Sequence, residues 1–438
     1  MRIWRRGSVA GSGQPFWRDR RVISWALYDW ANSAFATTVM AGFFPLFFKQ
    51  YWSAGVPVSD STLMLGSANA LASLVVVVLA PLLGAIADQG SARKRFLLYF
   101  AMMGIVMTGG LYLVAAGAWL MALALYVMAV IGFSGSNIFY DALLPEVASE
   151  SRLDRVSSFG YALGYLGGGV LFAFNVLMTL KPELFGLADT SAAVRVSFLL
   201  VAAWWALFSL PLLLFVPEPA RAPRAGLGGN FINGWRQLRE TISRLRLLRQ
   251  AMLFLLAYWL YIDGVDTIVR MAVDYGLSLG FDANGLIVAL LITQFVGFPA
   301  AILFGHLGER YGTRQGIFLA IGVYLVIILW AYQMSREWEF YLLAVAIGLV
   351  QGGIQALSRS FYVRLIPRDK PAEFFGFYNM LGKFAAVLGP LLMGAVSVTT
   401  GSPRLSMLSV ALLFVAGALL LRQVDEEAGR RQAQLLEG

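Results

Sequence analysis

A chain of 438 residues that is 59% hydrophobic and only 13% charged is no soluble domain; it reads as a polytopic membrane protein. It has no cysteine, which excludes disulfides and cysteine-held metals, and a single histidine, His306, which excludes a histidine-based catalytic or metal cluster. The net charge of +9 does not mark a nucleic-acid binder, because the arginines stand in short segments between apolar runs, as orientation signals do.

Residues 1–21 are basic and carry several Gly and Ser. They read as a cytoplasmic tail and not as a signal peptide, since the apolar run that follows is too long for an h-region and lacks a small-residue cleavage site. That run, 22–48, is long enough to cross a bilayer, which takes roughly 20 apolar residues. It holds Trp25-Ala-Leu-Tyr28-Asp29-Trp-Ala-Asn32-Ser33-Ala-Phe35. A charge in hydrocarbon costs roughly 2.5–3.5 kcal/mol on insertion scales, so Asp29 needs a reason to be there. Tyr28, Asp29, Asn32, Ser33 and Ala36 fall at i, i+1, i+4, i+5 and i+8, a polar stripe on one side of a helix that must face protein or water. Asp29 lies about 10 Å from the inner end of the run, which places it in an inner vestibule.

Further apolar runs follow at 63–87, 96–117, 119–142, 157–180 and 194–216. Beyond a long connection they resume at 251–277, 283–307, 315–333, 338–361, 372–399 and 404–422. With the N-terminus inside, 27 of the 34 basic residues fall on inner segments, which puts both termini in the cytoplasm and requires an even number of spans. The chain then divides into an N-terminal bundle (22–216), a linker (217–250), a C-terminal bundle (251–422) and a tail (423–438). The linker opens with Pro217, Pro219 and Pro223. Phe231, Trp235, Leu238, Ile242, Leu245 and Leu248, with arginines between them, predict a basic amphipathic helix on the inner leaflet.

The chain repeats. Gly84-x3-Asp88 returns as Gly305-x3-Glu309, and Phe139-Tyr140-x2-Leu143-x-Pro145 returns as Phe361-Tyr362-x2-Leu365-x-Pro367. Trp25-x2-Tyr28-Asp29 has a looser echo in Trp259-x-Tyr261-x-Asp263. Two six-helix halves made by duplication form a transporter architecture.

The ionisable residues are unevenly placed. Spans three, six, nine and twelve have almost none in their interiors; spans one, four, seven, ten and eleven hold nearly all. A bundle that sets spans one, four, seven and ten around a water-filled cavity accommodates every charge. Span four brings Ser134, Asn137 and Asp141; span ten brings Gln351, Gln355, Ser358 and Arg359; span eleven brings Tyr378, Asn379 and Lys383. Span seven is richest, with Asp263, Asp266, Thr267, Arg270 and Asp274 in one stripe and two i,i+4 pairs of opposite sign through Arg270. Asp263 and Asp266 lie about 18–22 Å along that helix, near mid-depth, and with Asp29 are the expected proton carriers.

The substrate or proton pathway is expected at Tyr28, Asp29, Asn32, Asn137, Asp263, Asp266, Arg270, Gln355, Arg359, Asn379 and Lys383. The competing expectations are helix–helix bonds: Asp29 to a cation such as Lys383, and Asp263 and Asp266 in a salt-bridge set with Arg270 and Lys383. Arg359 either holds a substrate carboxylate or snorkels to the interface. Gly84, Asp88, Arg93, Gly305, Glu309, Arg310 and Arg314 read as a gate, with glycines for close helix approach and acid–base pairs for an inner latch. The glycines of span five, Gly160, Gly164, Gly167, Gly168 and Gly169, read as packing.

The loop after span two, Gly84-x3-Asp88-x-Gly90-x2-Arg93-Lys94-Arg95, and its closer second copy, Gly305-x3-Glu309-Arg310-x-Gly312-x-Arg314, resemble the G-x-x-x-D-x-x-G-[RK]-[RK] signature of the major facilitator superfamily. The similarity covers essentially the whole chain. Tyr28-Asp-Trp-Ala-Asn-Ser-Ala-Phe35 and Glu373-Phe-Phe-Gly-Phe-Tyr-Asn-Met-Leu-Gly-Lys383 resemble the branch that includes fungal vacuolar amino-acid effluxers and many bacterial members. The resemblance implies an all-α fold of twelve transmembrane helices in two pseudo-symmetric bundles, and efflux of amino acids or another small metabolite.

The expected protein is a secondary transporter of a small polar metabolite working by alternating access. Its intramembrane carboxylates, and the lack of a Gly-x4-Gly-Lys-[Ser/Thr] loop, point to protons as the coupling ion. It is expected to be a monomer in a bacterial cytoplasmic membrane, with the lipid bilayer and a small molecule as partners and with no nucleic acid, cofactor or metal. Two rivals stand: a membrane-embedded transferase holding Mg²⁺ on Asp263 and Asp266, and a non-transporting receptor or scaffold. The receptor has no need of mid-depth charges in both halves.

Overall fold

The computed structural model describes residues 15–90, 92–218, 248–278, 283–384 and 388–436. All regular structure among them is helical. Twelve helical runs are long and apolar enough to cross a bilayer, the number read from hydropathy. In the first half they are Arg20–Trp52, Leu63–Asp88, Arg93–Leu113, Trp119–Val147, Glu150–Leu180 and Thr190–Phe215. In the second they are Arg249–Val269, Ile287–Tyr311, Thr313–Gln333, Glu337–Leu365, Pro371–Thr400 and Arg404–Arg422. They are spans one to twelve below. Span five starts earlier than its apolar run because backbone hydrogen bonding continues through Asp154 and Arg155, past the point where the residues stop being apolar.

Spans one, seven and ten are 61% buried over their apolar windows and span four 56%, against 28% for spans three and six. Spans one, four, seven and ten are therefore central. Leu207 and Leu214 of span six, Leu329 of span nine, and Leu412 and Leu419 of span twelve are more than half exposed, as residues facing acyl chains should be.

Span one changes pitch on the way. Phe44 N–H reaches back five residues to the Val39 carbonyl, and Ser53 N–H to the Phe48 carbonyl at 2.8 Å. The first of these wide stretches, Phe35–Phe43, begins just after Ser33 and shifts the register of the helix from there on. Span eleven is described as helix over Pro371–Phe384 and Leu388–Thr400, with 385–387 outside the described residues.

The halves meet along span five, which packs on spans eight and ten, and along span eleven, which packs on spans two and four. Glycine makes the closest of these approaches possible. A Cβ on Gly84 would collide with the Ala372 carbonyl at the start of span eleven, and one on Gly305 would lie 2.8 Å from Ser158 Cβ near the start of span five. The repeated glycines thus hold equivalent places in the two halves.

Both described chain ends lie at one end of the bundle. The Phe16 ring packs 5.9 Å from Phe159, and a terminal helix, Glu426–Leu435, bonds through Gln432 Oε1 to Gln250 N–H at 3.2 Å. Arg93, Arg155, Arg314, Arg364 and Arg368 gather there, and it is called the arginine-rich end. The amphipathic helix expected in the linker falls almost wholly on 219–247, outside the described residues.

Candidate functional site

Arg359, 1% exposed, is the centre of the charge arrangement. Span ten carries it across the divide between the halves. Its Nη1 donates to Asp141 Oδ1 of span four at 3.0 Å and stands 3.5 Å from Asp29 Oδ2 of span one. Its Nε donates to Ser157 Oγ, and its Nη2 to the Ser157 carbonyl, both at 2.9 Å. Three aromatic rings box the guanidinium, with its Cζ 4.4 Å from the Tyr161 centroid, 4.8 Å from Trp25 and 5.5 Å from Tyr140.

The carboxylates have further support. Tyr140 hydroxyl donates to Asp29 Oδ2 at 2.7 Å, and Asn379 Nδ2 to Asp141 Oδ2 at 3.3 Å. The Trp25 indole N–H holds the Tyr140 carbonyl at 3.1 Å. Asn32 donates to Asn137 at 2.5 Å. Span five can come this close because of its glycines: a Cβ on Gly160 would stand 2.7 Å from Asp29 Oδ2, and one on Gly164 2.7 Å from Ser33 Oγ. One cation between two carboxylates, each hydrogen-bonded again, is how buried charges are tolerated.

This cluster lines a cavity of about 310 Å³. Asn32, Ser33 and Thr37 of span one, Asn137 of span four, Gln351 and Gln355 of span ten, and Asn379 of span eleven also face it. The four-span cavity was expected; spans five, eight and eleven join it through Tyr161, Tyr165, Gln294 and Tyr378. Thr37, Gln294 and Gln351 also border a second chamber of about 250 Å³, lined by Ile268, Tyr275, Leu290, Ile327, Leu343 and Met407 of the C-terminal half. It lies towards the opposite end of the bundle and is mostly apolar.

Several expected site residues stand elsewhere. Tyr28 is fully buried and packs its ring 5.1 Å from Tyr140, outside the cavity lining. Asp263 is buried too, but accepts from the N–H groups of Leu388 at 3.0 Å and Gly389 at 2.9 Å, and from Thr267 Oγ1 at 3.2 Å. Both N–H groups belong to span eleven, and a buried carboxylate is tolerated where it is hydrogen-bonded in this way. Asp266 and Lys383 are half-buried and also outside the lining. The side chains of Arg270 and Asp274 lie outside the described residues. Span seven contributes Tyr258 alone to the described lining. The charged centre is therefore at Asp29 and not, as expected, in span seven. Arg359 does not snorkel, because Asp29 and Asp141 neutralise it where it is. Asp263→Ala is expected to cost about 1–3 kcal/mol, the price of orphaned helix N–H groups, read as earlier thermal unfolding in detergent.

Asp141 was expected among the polar residues of span four but not in the pathway itself, and Ser157, Tyr161 and Trp25 were not expected in the site. Asp141 carried a signal: it follows the repeated Phe-Tyr pair where the second copy has Val363, so the repeat departs there in charge. Asn137 and Arg359 are likewise repeat partners that differ. Serine and aromatic residues are too common in membrane helices for Ser157, Tyr161 or Trp25 to stand out.

The arginine-rich end is closed. Asp88 accepts from Arg93 Nε and from the Glu373 N–H of the other half, each at 2.8 Å, and Arg93 Nη1 reaches Glu146 at 3.0 Å. Glu309 pairs with Arg155. Arg310, expected in the latch, stands exposed beside the Tyr311 ring, and Arg314 donates to the Val424 carbonyl at 2.7 Å; both bind their own half. Among the described residues the bases that cross between the halves at this end are Arg155, Arg364, Arg368 and Arg430. Buried Asp154 accepts from Thr313 Oγ1 at 2.8 Å, Ser360 Oγ at 2.5 Å and Arg364 Nη2 at 3.0 Å. Glu150 pairs with Arg368 at 2.8 Å and with Arg430 of the terminal helix at 2.6 Å.

Known proteins match the whole of this architecture. The family model described as "Vacuole effluxer Atg22 like" matches residues 18–434. The MFS-type transporter YxiO of Bacillus subtilis is 38% identical over 94% of this chain and 96% of its own length. Autophagy-related protein 22 of Eremothecium gossypii is 25% identical, covering 98% and 97%. Among solved structures, the proton:xylose symporter XylE superposes with a TM-score of 0.70 at 14% identity over 96% of this chain and 98% of its own. FucP in its outward conformation gives 0.71 at 13% identity, over 94% and 100%. With twelve spans in this fold and a match along nearly its full length, the chain belongs to the Atg22-like family of the major facilitator superfamily and is a multi-pass membrane transporter.

Proposed function

We propose that the protein exports amino acids with apolar side chains, by alternating access in exchange for protons. The observation that carries this reading is the Asp29–Arg359–Asp141 cluster in a polar cavity of about 310 Å³, near the small end of ligand sites. A guanidinium suits an α-carboxylate, and a carboxylate suits an α-ammonium group. The adjoining apolar chamber of about 250 Å³ has room for an aliphatic or aromatic side chain. With two acids to one base, the cluster has a carboxylate to spare, and that group is the proposed proton carrier. The export direction is supported by the family description, "Vacuole effluxer". By the arginine distribution the closed end is cytoplasmic, in a bacterial inner membrane, and the protein acts as a monomer.

The transferase rival needs Asp263 and Asp266 as a metal pair. Asp263 has given both oxygens to backbone N–H groups, so that reading loses its donor set.

Counterflow in proteoliposomes tests the proposal. Leucine-type amino acids are expected to exchange, and an imposed pH gradient to drive net movement. Asp29→Asn or Asp141→Asn should remove the response to the gradient. Exchange that ignores both the gradient and these substitutions sinks the proton coupling, and absence of amino-acid exchange sinks the substrate class.

A further inference from the structure

Arg359 has five N–H donors, and in this state its side edge is fully engaged. That edge, Nε with Nη2, is one that can grip a carboxylate through two parallel hydrogen bonds. Here it grips Ser157: Nε on Oγ and Nη2 on the carbonyl, both at 2.9 Å. Two oxygens of one residue stand where the two oxygens of a carboxylate would stand. Ser157 belongs to span five and to the opposite half, and it is fully buried. Its hydroxyl hydrogen goes to the Ala356 carbonyl of span ten at 2.8 Å. Ser157 thus fastens the two halves together just below the cavity and fills the recognition edge of the cavity's only described cation.

We propose that Ser157 is a positioning residue that competes with the substrate carboxylate for Arg359. This rests on the function proposed above. The competition exists only while the arginine-rich end is closed, because only then does span five lie against span ten. When that end opens, Ser157 withdraws with its half and leaves the edge of Arg359 free for a carboxylate. When it closes, the Ser157 oxygens return and displace the carboxylate towards the opposite end. Closure and release become one event, and the site binds more weakly in the state that must let substrate go.

No bond is made or broken beyond hydrogen bonds, so the prediction concerns affinity and release. Ser157→Ala removes one of the two competing oxygens and keeps the backbone carbonyl. KM for a transported amino acid is expected to fall about tenfold and kcat to fall with it, since release slows. KM for the corresponding amino-acid amide, which has no carboxylate, should stay within about twofold. Ser157→Thr keeps the hydroxyl and should restore both constants. An unchanged or higher KM in Ser157→Ala, or equal shifts for acid and amide, overturns the competition.

A second measurement does not depend on the substrate. The chain has no cysteine, so spin labels at Ser151→Cys and Tyr311→Cys report the distance across the arginine-rich end without background. Without ligand, Ser157→Ala is expected to raise the fraction of the longer-distance population at least threefold over the labelled parent, and Ser157→Thr to leave it unchanged. An identical distribution in Ser157→Ala overturns the proposal whatever the substrate proves to be. Failure of wild-type amino-acid exchange, with the distance shift present, rejects the substrate class and leaves the Ser157 latch standing.

Discussion

Arg359→Gln is expected to abolish transport, with initial counterflow at least about a hundredfold below wild type. The guanidinium is the sole described cation in a cavity that also holds Asp29 and Asp141. Removing one member of a buried ionic set leaves the others uncompensated, at about 3–5 kcal/mol, and each 1.36 kcal/mol is a factor of ten. Glutamine is neutral and has no edge of charged donors for a substrate carboxylate. Arg359→Lys should fail as well, by more than about tenfold, because an ammonium is a point charge and does not span Asp141 and both oxygens of Ser157 together. Rates normalised to monodisperse protein separate loss of function from loss of folding. Adding Asp141→Asn to Arg359→Gln should recover thermal stability, by removing the stranded acid, and recover no transport. Near-wild-type counterflow in Arg359→Gln would make Arg359 a strut and place the substrate site elsewhere.

The second large effect is expected at Gly84. Its ideal Cβ would stand 2.6 Å from the Ala372 carbonyl carbon and 2.9 Å from Glu373 Cα. These are backbone atoms at the start of span eleven, which no rotamer change can move aside. Gly84→Val should therefore hold the arginine-rich end open. The same displacement withdraws the Glu373 N–H from Asp88. Net transport is expected to fall more than about tenfold, while the cavity around Arg359, which Gly84 does not line, still binds its ligand. Spin labels at Ser151→Cys and Tyr311→Cys should then show mainly the longer distance. A Gly84→Val protein that transports normally with the shorter distance intact would show that span eleven slides freely past span two.

Much of the fold was legible in the chain. The twelve spans, the duplication and the lipid-facing pattern of spans three and six follow from hydropathy and spacing alone. So did the polar stripe of span one: Asp29, Asn32 and Ser33 share the cavity as their helical spacing predicts. Asn137, Gln355, Arg359 and Asn379 are there as well. The glycines of span five are packing residues, and Gly84 and Gly305 stand at the junction of the halves.

The errors have a common cause. Asp263 and Asp29 occupy matching places in the repeat, at similar cost in hydrocarbon. One meets a guanidinium and the other meets backbone N–H groups of span eleven, and no local pattern distinguishes those fates. Arg310 and Arg314 fit the loop signature but turn to their own half, while Arg155 and Arg364, outside it, cross. The sequence by itself determined which helices enter the membrane and that some of their charges must be hidden, because burial in lipid acts on each residue where it stands. Only the tertiary structure decided which charges hide together. Arg359 is 218 residues from Asp141 and 202 from Ser157, and hydrogen bonds over such separations are set by how the two halves close on each other.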